Sequence, residues 1–254
     1  MVRSKPLVRL ILAGLLVAPA CAFEGGAGGD EPPPGDNSTY RLSVGVALLN
    51  NVYMPRLTRL TTATGQLKET AQAQHQNTQN SGTFERTELR DRWLAVMEVV
   101  QELEVMHVGP AATSSTRKGG EDLRDALYSW PLTNACRVDQ VLVSGIYAEA
   151  GFKARVMANV YGLDALEELL FRDGDFHTCP PQLPIEEDGQ WAALQASGLA
   201  LARAHYTAVL AAELHADAVA LEARWKASEG NFIAQAESPG TDSVYASPQC
   251  LLDE

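Results

Sequence analysis

The chain has 254 residues, and its 20 basic and 32 acidic side chains give a formal net charge of −12 at pH 7. Because proteins bind nucleic acids mainly through Lys and Arg at the phosphates, this balance argues against a nucleic-acid partner. Hydrophobic residues make up 46% of the chain, enough to bury the core of a globular domain. The sequence lacks the motifs of zinc peptidases, serine hydrolases, P-loop enzymes and dinucleotide-binding enzymes.

Residues 1–20 have the pattern of an export signal peptide. Three basic residues, Arg3, Lys5 and Arg9, accompany an apolar stretch from 10 to 17, and small residues follow it. The apolar stretch is too short to span a bilayer as a mature helix. Removal of residues 1–20 leaves 17 basic and 32 acidic residues, which is a net charge of −15.

Cys21 directly follows the predicted signal, in the position of the lipid-modified cysteine of bacterial lipoproteins. Three acyl chains on Cys21 would hold the protein stably on a membrane. No acidic residue follows it immediately, which favours the outer membrane, with the protein facing the periplasm. Ordinary signal-peptidase cleavage near Ala20 is the alternative. Residues 21–38 are rich in Gly and Pro and are predicted to form a flexible tether.

Most of the remaining sequence has apolar residues at intervals of three and four, which is typical of amphipathic helices. Pro55 should kink or divide the first helix, and bends are expected near Gly162 and Gly198. The predicted helices span residues 40–76, 84–107, 121–128, 131–145, 148–171 and 190–228. We therefore predict an all-α fold, an up-and-down bundle of four to five long helices with a kinked first helix. The bundle would occupy residues 39–236, with a tail over 237–254.

The segment 162–171 places two carboxylates, Asp164 and Glu167, inside an apolar helical stripe. With Val160, Leu163 and Leu166 on or beside one face, Glu167 is expected to lean toward the core and to need a partner there. One interpretation is a capping box, with Asp164 at the N-cap and Glu167 three residues later. The other is a pair of hard oxygen ligands for Mg, Ca, Mn or ferric iron. Both interpretations can hold together.

The order of four sequence features resembles the imelysin family over about residues 42–235. The features are Val52-x-x-Pro55, Trp93 followed by Gly109-Pro110, Trp130-Pro131, and the segment 162–171. The resemblance implies an all-α fold in bacterial envelope proteins, many of them lipoproteins, linked to iron or haem acquisition. It also marks Gly162, Trp93, Trp130 and Pro131 as structural motif residues. Related chains usually continue into a further helical bundle, so we expect a shortened member of the family.

The resemblance also implies a site. The family signature is Gly-x-His-x-x-Glu; Gly162 and Glu167 match it, whereas Asp164 stands in place of the histidine. Loss of the imidazole removes the ligand most typical of zinc, which weakens a metallopeptidase interpretation and leaves oxygen ligands. Glu104 matches a family glutamate and lies one turn before His107. The predicted metal ligands are therefore Asp164, Glu167 and Glu104, for iron or another divalent or trivalent cation.

These expectations combine into a lipid-anchored envelope protein that binds iron, haem or another cation-bearing ligand in an uptake system, with an envelope transport partner. No catalytic residue is predicted. One alternative is a scaffold or interaction module without a ligand, and the other is a metallopeptidase, which needs a metal-activated water and a general base.

Three cysteines follow Cys21, and disulfides form in exported proteins. Cys179 and Cys250 both lie in proline-flanked loop sequence, so we favour a bridge between them. Cys136 lies in an apolar helical run and is then a buried core residue. The alternative pairing joins Cys136 to Cys179.

Overall fold

A computed structural model of the protein describes residues 37–129 and 134–253. Across these two ranges the regular structure is helical and contains no strand, so the predicted all-α class is confirmed. The predicted signal peptide, Cys21, Trp130 and Pro131 lie outside the described residues. In chain order the α-helices are α1 (Ser38–Leu48), α2 (Met54–Ser81), α3 (Thr87–Glu104), α4 (Leu123–Leu127), α5 (Ala135–Ser144), α6 (Gly162–Phe171), α7 (Pro184–Glu187), α8 (Gln190–Trp225), α9 (Phe232–Glu237) and α10 (Pro248–Leu252).

The core lies between the long helices α2, α3 and α8, with the shorter helix α6 packed against α3 and α8. Each long helix contributes a buried stripe at intervals of three and four, as an amphipathic helix requires. The stripe of α2 includes Leu57, Leu60, Leu67 and Ala71. None of the helices within the described ranges combines the length and apolarity needed to cross a membrane.

The predicted kink in the first helix is confirmed. A π-helical turn over Leu49–Tyr53 separates α1 from α2, and Pro55 lies in the first turn of α2. A proline cannot donate the backbone hydrogen bond of a helix interior, and its ring crowds the preceding turn. The wider π turn immediately before Pro55 accommodates both effects.

The region 148–161 is not the helix that its apolar spacing predicts. It consists largely of short 3₁₀ turns, including Phe152–Arg155 and Ala158–Val160, and α6 begins only at Gly162. Gly162 has φ +76°, and a Cβ there would lie 2.9 Å from the carbonyl oxygen of Leu127. A residue with a side chain is therefore strained and crowded at this position, and the chain reverses there instead of continuing a helix.

The helix α8 and the C-terminal segment of the described chain also add details to the predicted elements. The break in α8 lies at Gln195, with φ 54° and ψ 174°, three residues before the bend predicted at Gly198. The segment 237–253, predicted to be a tail, contains α10, which packs on α1. Leu251 of α10 is only 6% exposed and lies against Gly45 of α1.

The favoured disulfide between Cys179 and Cys250 is wrong, because Cys179 is bonded to Cys136, 43 residues away in sequence. Cys136 lies in the first turn of α5. The backbone N–H of Thr178 donates to Asp139 Oδ2 on the next turn of α5 (2.9 Å), so the loop after α6 is held against this helix. That contact brings Cys179 beside Cys136, whereas Cys250 lies in α10.

Candidate functional site

The first turn of α6 buries Asp164 and leaves Glu167 at the surface. Asp164 is 1% exposed, and Glu167 is exposed, so the expectation that Glu167 turns into the core is wrong. Val160 lies in a separate 3₁₀ turn before α6 and does not share the helical phase that predicted this orientation. The buried acidic side chain of the motif is therefore the one that replaces the family histidine.

Asp164 ties the beginning of α6 to the segment that follows α4. Its Oδ2 accepts hydrogen bonds from the backbone N–H of Ser129 (2.7 Å) and from the Ser129 hydroxyl (2.9 Å). Its Oδ1 is buried and has no hydrogen-bond partner among the described residues. Helix α6 begins at Gly162, so Asp164 lies inside its first turn and not at the predicted N-cap. The negative charge near the helix N-terminus is favourable.

The charges of the three predicted ligands all act on Tyr128, the residue that follows α4. Burial raises the pKa of Tyr128, and the negative charges of Asp164, Glu167 and Glu104 raise it further. Partial burial likewise raises the pKa of Glu167, although its side chain is exposed, and the charges of Asp164 and Glu168 add to the effect. Carboxylates from α3 and α6 thus act on one tyrosine hydroxyl.

These carboxylates do not form the predicted three-ligand metal site. Nowhere in residues 37–129 and 134–253 do three or more His, Cys, Asp or Glu side chains come together in a way that could hold a metal ion. Oδ2 of Asp164 is already hydrogen-bonded to Ser129, and Glu104 is on a different helix, α3. A resident ion coordinated by protein side chains alone does not fit this arrangement.

A pocket beside Tyr128 brings Glu104 and His107 together, although α3 ends at Glu104 and His107 lies after the helix and not one turn further along it. Its cavity volume is about 60 Å³. Its lining is mostly apolar, and its polar side chains are Glu104, His107, Arg124 and the tyrosines Tyr53 and Tyr128. Arg124 Nη1 lies 3.3 Å from His107 Nδ1. Burial lowers the pKa of His107, and the charge of Arg124 lowers it further, so the imidazole is neutral at pH 7.

Two motif residues position α6 relative to its neighbours. Trp93 of α3 is buried, and its indole N–H donates to the carbonyl of Leu163 (3.0 Å). The Trp93 ring also packs edge to face on Phe171, with centroids 5.0 Å apart. Gly162 permits the close approach of the Leu127 backbone described above. Trp93 therefore contacts both ends of α6 from α3.

Sequence reasoning missed Ser129 and Tyr128 as parts of the site. Neither belongs to a spaced motif of ionisable residues, and their roles depend on a contact 35 residues away in sequence. Their position immediately before Trp130-Pro131 is the one signal in the sequence that points to them.

The described fold and site define a class of helical-bundle protein in which a glycine-led helix presents acidic side chains beside a pocket. The family model described as Imelysin matches residues 53–253, and the chain therefore belongs to the imelysin family. The matched range contains the pocket and all three carboxylates around Tyr128. No curated protein and no solved structure matches this chain.

Proposed function

We propose that this imelysin-family protein is an envelope lipoprotein that binds iron, haem or another cation-bearing ligand as the cargo of an uptake system. The observation that carries the proposal is the arrangement around Tyr128, where Asp164, Glu167 and Glu104 all act on one hydroxyl. Asp164 also keeps one buried carboxylate oxygen without a hydrogen bond among the described residues.

Electrostatics favours a cation at this position. Like charges in a partly desolvated place repel one another, and the raised pKa of Glu167 reflects both burial and the charge of Asp164. The guanidinium of Arg124 is directed to Asp125, to which its Nε and Nη2 both donate, and to His107. A bound positive charge would therefore relieve a repulsion that Arg124 does not neutralise.

The shape of the pocket favours a ligand that brings most of its own coordination. The lining includes Tyr53, Leu103 and Leu127, whose apolar surface suits the organic part of a small chelate. The carboxylate of Glu104 in this lining supplies hard oxygen atoms, which suit ferric iron better than soft metals. The neutral imidazole of His107 adds one nitrogen donor in the same pocket.

Titration calorimetry of the full mature chain tests the binding part of the proposal. The probes are ferric nitrilotriacetate, ferrous, zinc and calcium salts, and haemin. We expect binding of an iron probe or haemin by the parent, and at least about tenfold weaker binding by the double variant Glu104→Gln/Glu167→Gln. Both residues are exposed, so the variant should fold. Asp91→Asn, an exposed aspartate on α3, is the matched control.

Two results would reject the binding part. Flat traces for every probe would favour a scaffold without a ligand, and a double variant that binds as the parent does would place the site elsewhere. Lipid attachment is tested separately by detergent phase partition of the protein expressed with its own signal. Cys21→Ser should move the protein from the detergent phase to the aqueous phase; an unchanged distribution would contradict the anchor.

A further inference from the structure

Four arginines surround the C-terminal end of α6, in a chain whose net charge is −12. Two of them donate hydrogen bonds to main-chain carbonyls at the end of α6. Arg90 Nε donates to the carbonyl of Leu170 (2.7 Å), and Arg86 Nη1 donates to the carbonyl of Arg172 (2.6 Å). The last carbonyls of a helix lack partners within it, and positive charge is favourable there. The positions of Arg86 and Arg90 are therefore explained by capping.

The third arginine, Arg172, is neutralised by a buried aspartate. Both of its terminal nitrogens donate to the carboxylate of Asp139, which is 0% exposed. The backbone N–H and the hydroxyl of Thr178 donate to the same carboxylate. Such a bidentate, hydrogen-bonded pair is the arrangement in which a buried ion pair is well satisfied.

The fourth arginine, Arg203 of α8, has no comparable arrangement. It is only 6% exposed, and its Nη2 is buried with no hydrogen-bond partner among the described residues. Its Nη1 lies 3.2 Å from Oδ1 of Asp175, whose side chain is 66% exposed. Burial lowers the pKa of Arg203, and the charges of Arg172 and Arg86 lower it further. Apart from the Trp191 ring over which it lies, this buried guanidinium is thus held by an ion pair to a surface carboxylate.

We propose that Arg203 forms a binding site for a small oxyanion, and that Asp175 occupies the place of the ligand. A guanidinium presents two parallel N–H donors that match a carboxylate or a phosphate group. Asp175 uses one of these donors, whereas an oxyanion at the same place uses both and satisfies the buried Nη2. A ligand of this class therefore makes a better partner for Arg203 than the loop carboxylate does.

The surrounding contacts allow the exchange without unfolding the loop. The indole N–H of Trp191 donates to the backbone carbonyl of Asp175 (2.9 Å), and the Trp191 ring lies 5.9 Å from the Arg203 guanidinium. The loop is also fixed by the Cys136–Cys179 bridge. Because the backbone of Asp175 is held while its side chain is exposed, rotation of that side chain is enough to open the site.

The oxyanion site is independent of the cation site proposed above. Asp164 lies in the first turn of α6 and Arg172 directly follows its last residue, so about 12 Å of helix separates them at 1.5 Å per residue. The Glu104→Gln/Glu167→Gln variant should therefore bind the oxyanion probe as the parent does. Failure of the cation proposal leaves this one unaffected.

Thermal unfolding and titration calorimetry with sodium phosphate test the site, with sodium chloride at equal ionic strength as the reference. Phosphate should raise the Tm of the parent more than chloride does. Asp175→Ala removes the competing carboxylate and should bind phosphate about two- to fivefold tighter, the factor that an exposed ion pair contributes. Asp188→Ala, an exposed aspartate between α7 and α8, should bind as the parent does.

Arg203→Gln should abolish the phosphate effect. If this variant does not fold, Asp175→Ala decides the question, because Asp175 is exposed and lies in a loop. The same measurements with citrate include the carboxylate class. The proposal is overturned if neither phosphate nor citrate raises the Tm of the parent and of Asp175→Ala more than chloride does. It is also overturned if removal of Asp175 leaves the affinity for these anions unchanged.

Discussion

Asp164 accepts both polar hydrogens that Ser129 can offer, one from the backbone N–H at 2.7 Å and one from the hydroxyl at 2.9 Å. Both residues are buried, with 1% and 7% of their surfaces exposed. The pair joins the beginning of α6 to the segment after α4, and Tyr128 lies next to it in the chain. The position of Tyr128 at the pocket therefore depends on this contact.

Ser129→Ala should destabilise the protein by about 1.5–3 kcal/mol, the contribution of a hydrogen bond to a charged group. The backbone hydrogen bond to Asp164 remains, so the fold should be kept. Urea unfolding measures the change. Ser144→Ala, at an exposed serine at the end of α5, is the control and should lie within about 0.5 kcal/mol of the parent. Equal losses for the two variants would contradict the role of the buried pair.

Comparison of Gly162→Ala with Gly145→Ala separates the cost of backbone strain at positive φ from the cost of steric crowding around the added Cβ. Both have φ near +70°, at +76° and +69°, so each alanine should cost about 1–2 kcal/mol in backbone strain. A Cβ at Gly145 meets nothing within 4 Å, whereas one at Gly162 would lie 2.9 Å from the Leu127 carbonyl oxygen. Gly162→Ala should therefore lose about 1–3 kcal/mol more in chemical unfolding. The same loss in both variants would show that the close approach has no cost.

The double variant Cys136→Ser/Cys179→Ser should lower the free energy of unfolding by about 2–4 kcal/mol. The bridge closes a loop of 43 residues. Closing a loop of that length lowers the conformational entropy of the unfolded chain, which stabilises the folded protein by about this free energy. Tryptic peptides of the unreduced parent should include one that links Cys136 to Cys179. Recovery of a peptide that links Cys179 to Cys250 would contradict the described pairing.

His75 of α2 and His205 of α8 stack with ring centroids 4.4 Å apart, and they make stability fall in acid. Burial lowers the pKa of both rings below the ordinary value of 6.5, and the charge of His75 lowers that of His205 further. The unfolded chain then binds protons more readily than the folded protein, so stability is present above pH 6.5 and is lost as the pH falls from there towards the lowered values.

Thermal unfolding of the parent and of His75→Gln between pH 8 and pH 4.5 measures this effect. The variant should lose less stability on acidification than the parent, because one buried ring and its repulsion with His205 are removed. Identical acid limbs for the two proteins would contradict the role of the stacked pair.

The long helices could be predicted from the sequence because their apolar residues keep a regular spacing. α8 was expected over 190–228 and spans Gln190–Trp225, and α3 was expected over 84–107 and spans Thr87–Glu104. The same method failed at 148–161, where apolar residues also recur but Gly162, with φ +76°, prevents one continuous helix. Periodicity reports which residues are buried; it does not report where the backbone reverses.

The site was predictable in part. Sequence comparison pointed to Asp164, Glu167 and Glu104, and all three act on Tyr128. The burial of each carboxylate was not predictable from the sequence. It depends on the hydrogen bond from the Ser129 backbone N–H to Asp164, which lies 35 residues away in sequence. The predicted disulfide pairing was wrong for a similar reason. The hydrogen bond between Thr178 and Asp139, which the flanking prolines do not indicate, brings Cys179 beside Cys136.

The packing of α10 on α1 places the last described residues beside Gly45, about 12 Å along α1 from residue 37 at 1.5 Å per residue. A Cβ on Gly45 would lie 2.7 Å from Cδ2 of Leu251, so the helices touch without room for a larger side chain. Chains whose ends are adjacent tolerate circular permutation. A linker that spans this distance from residue 253 to residue 37, with new termini opened in the polar loop at 113–120, should therefore give a folded permutant.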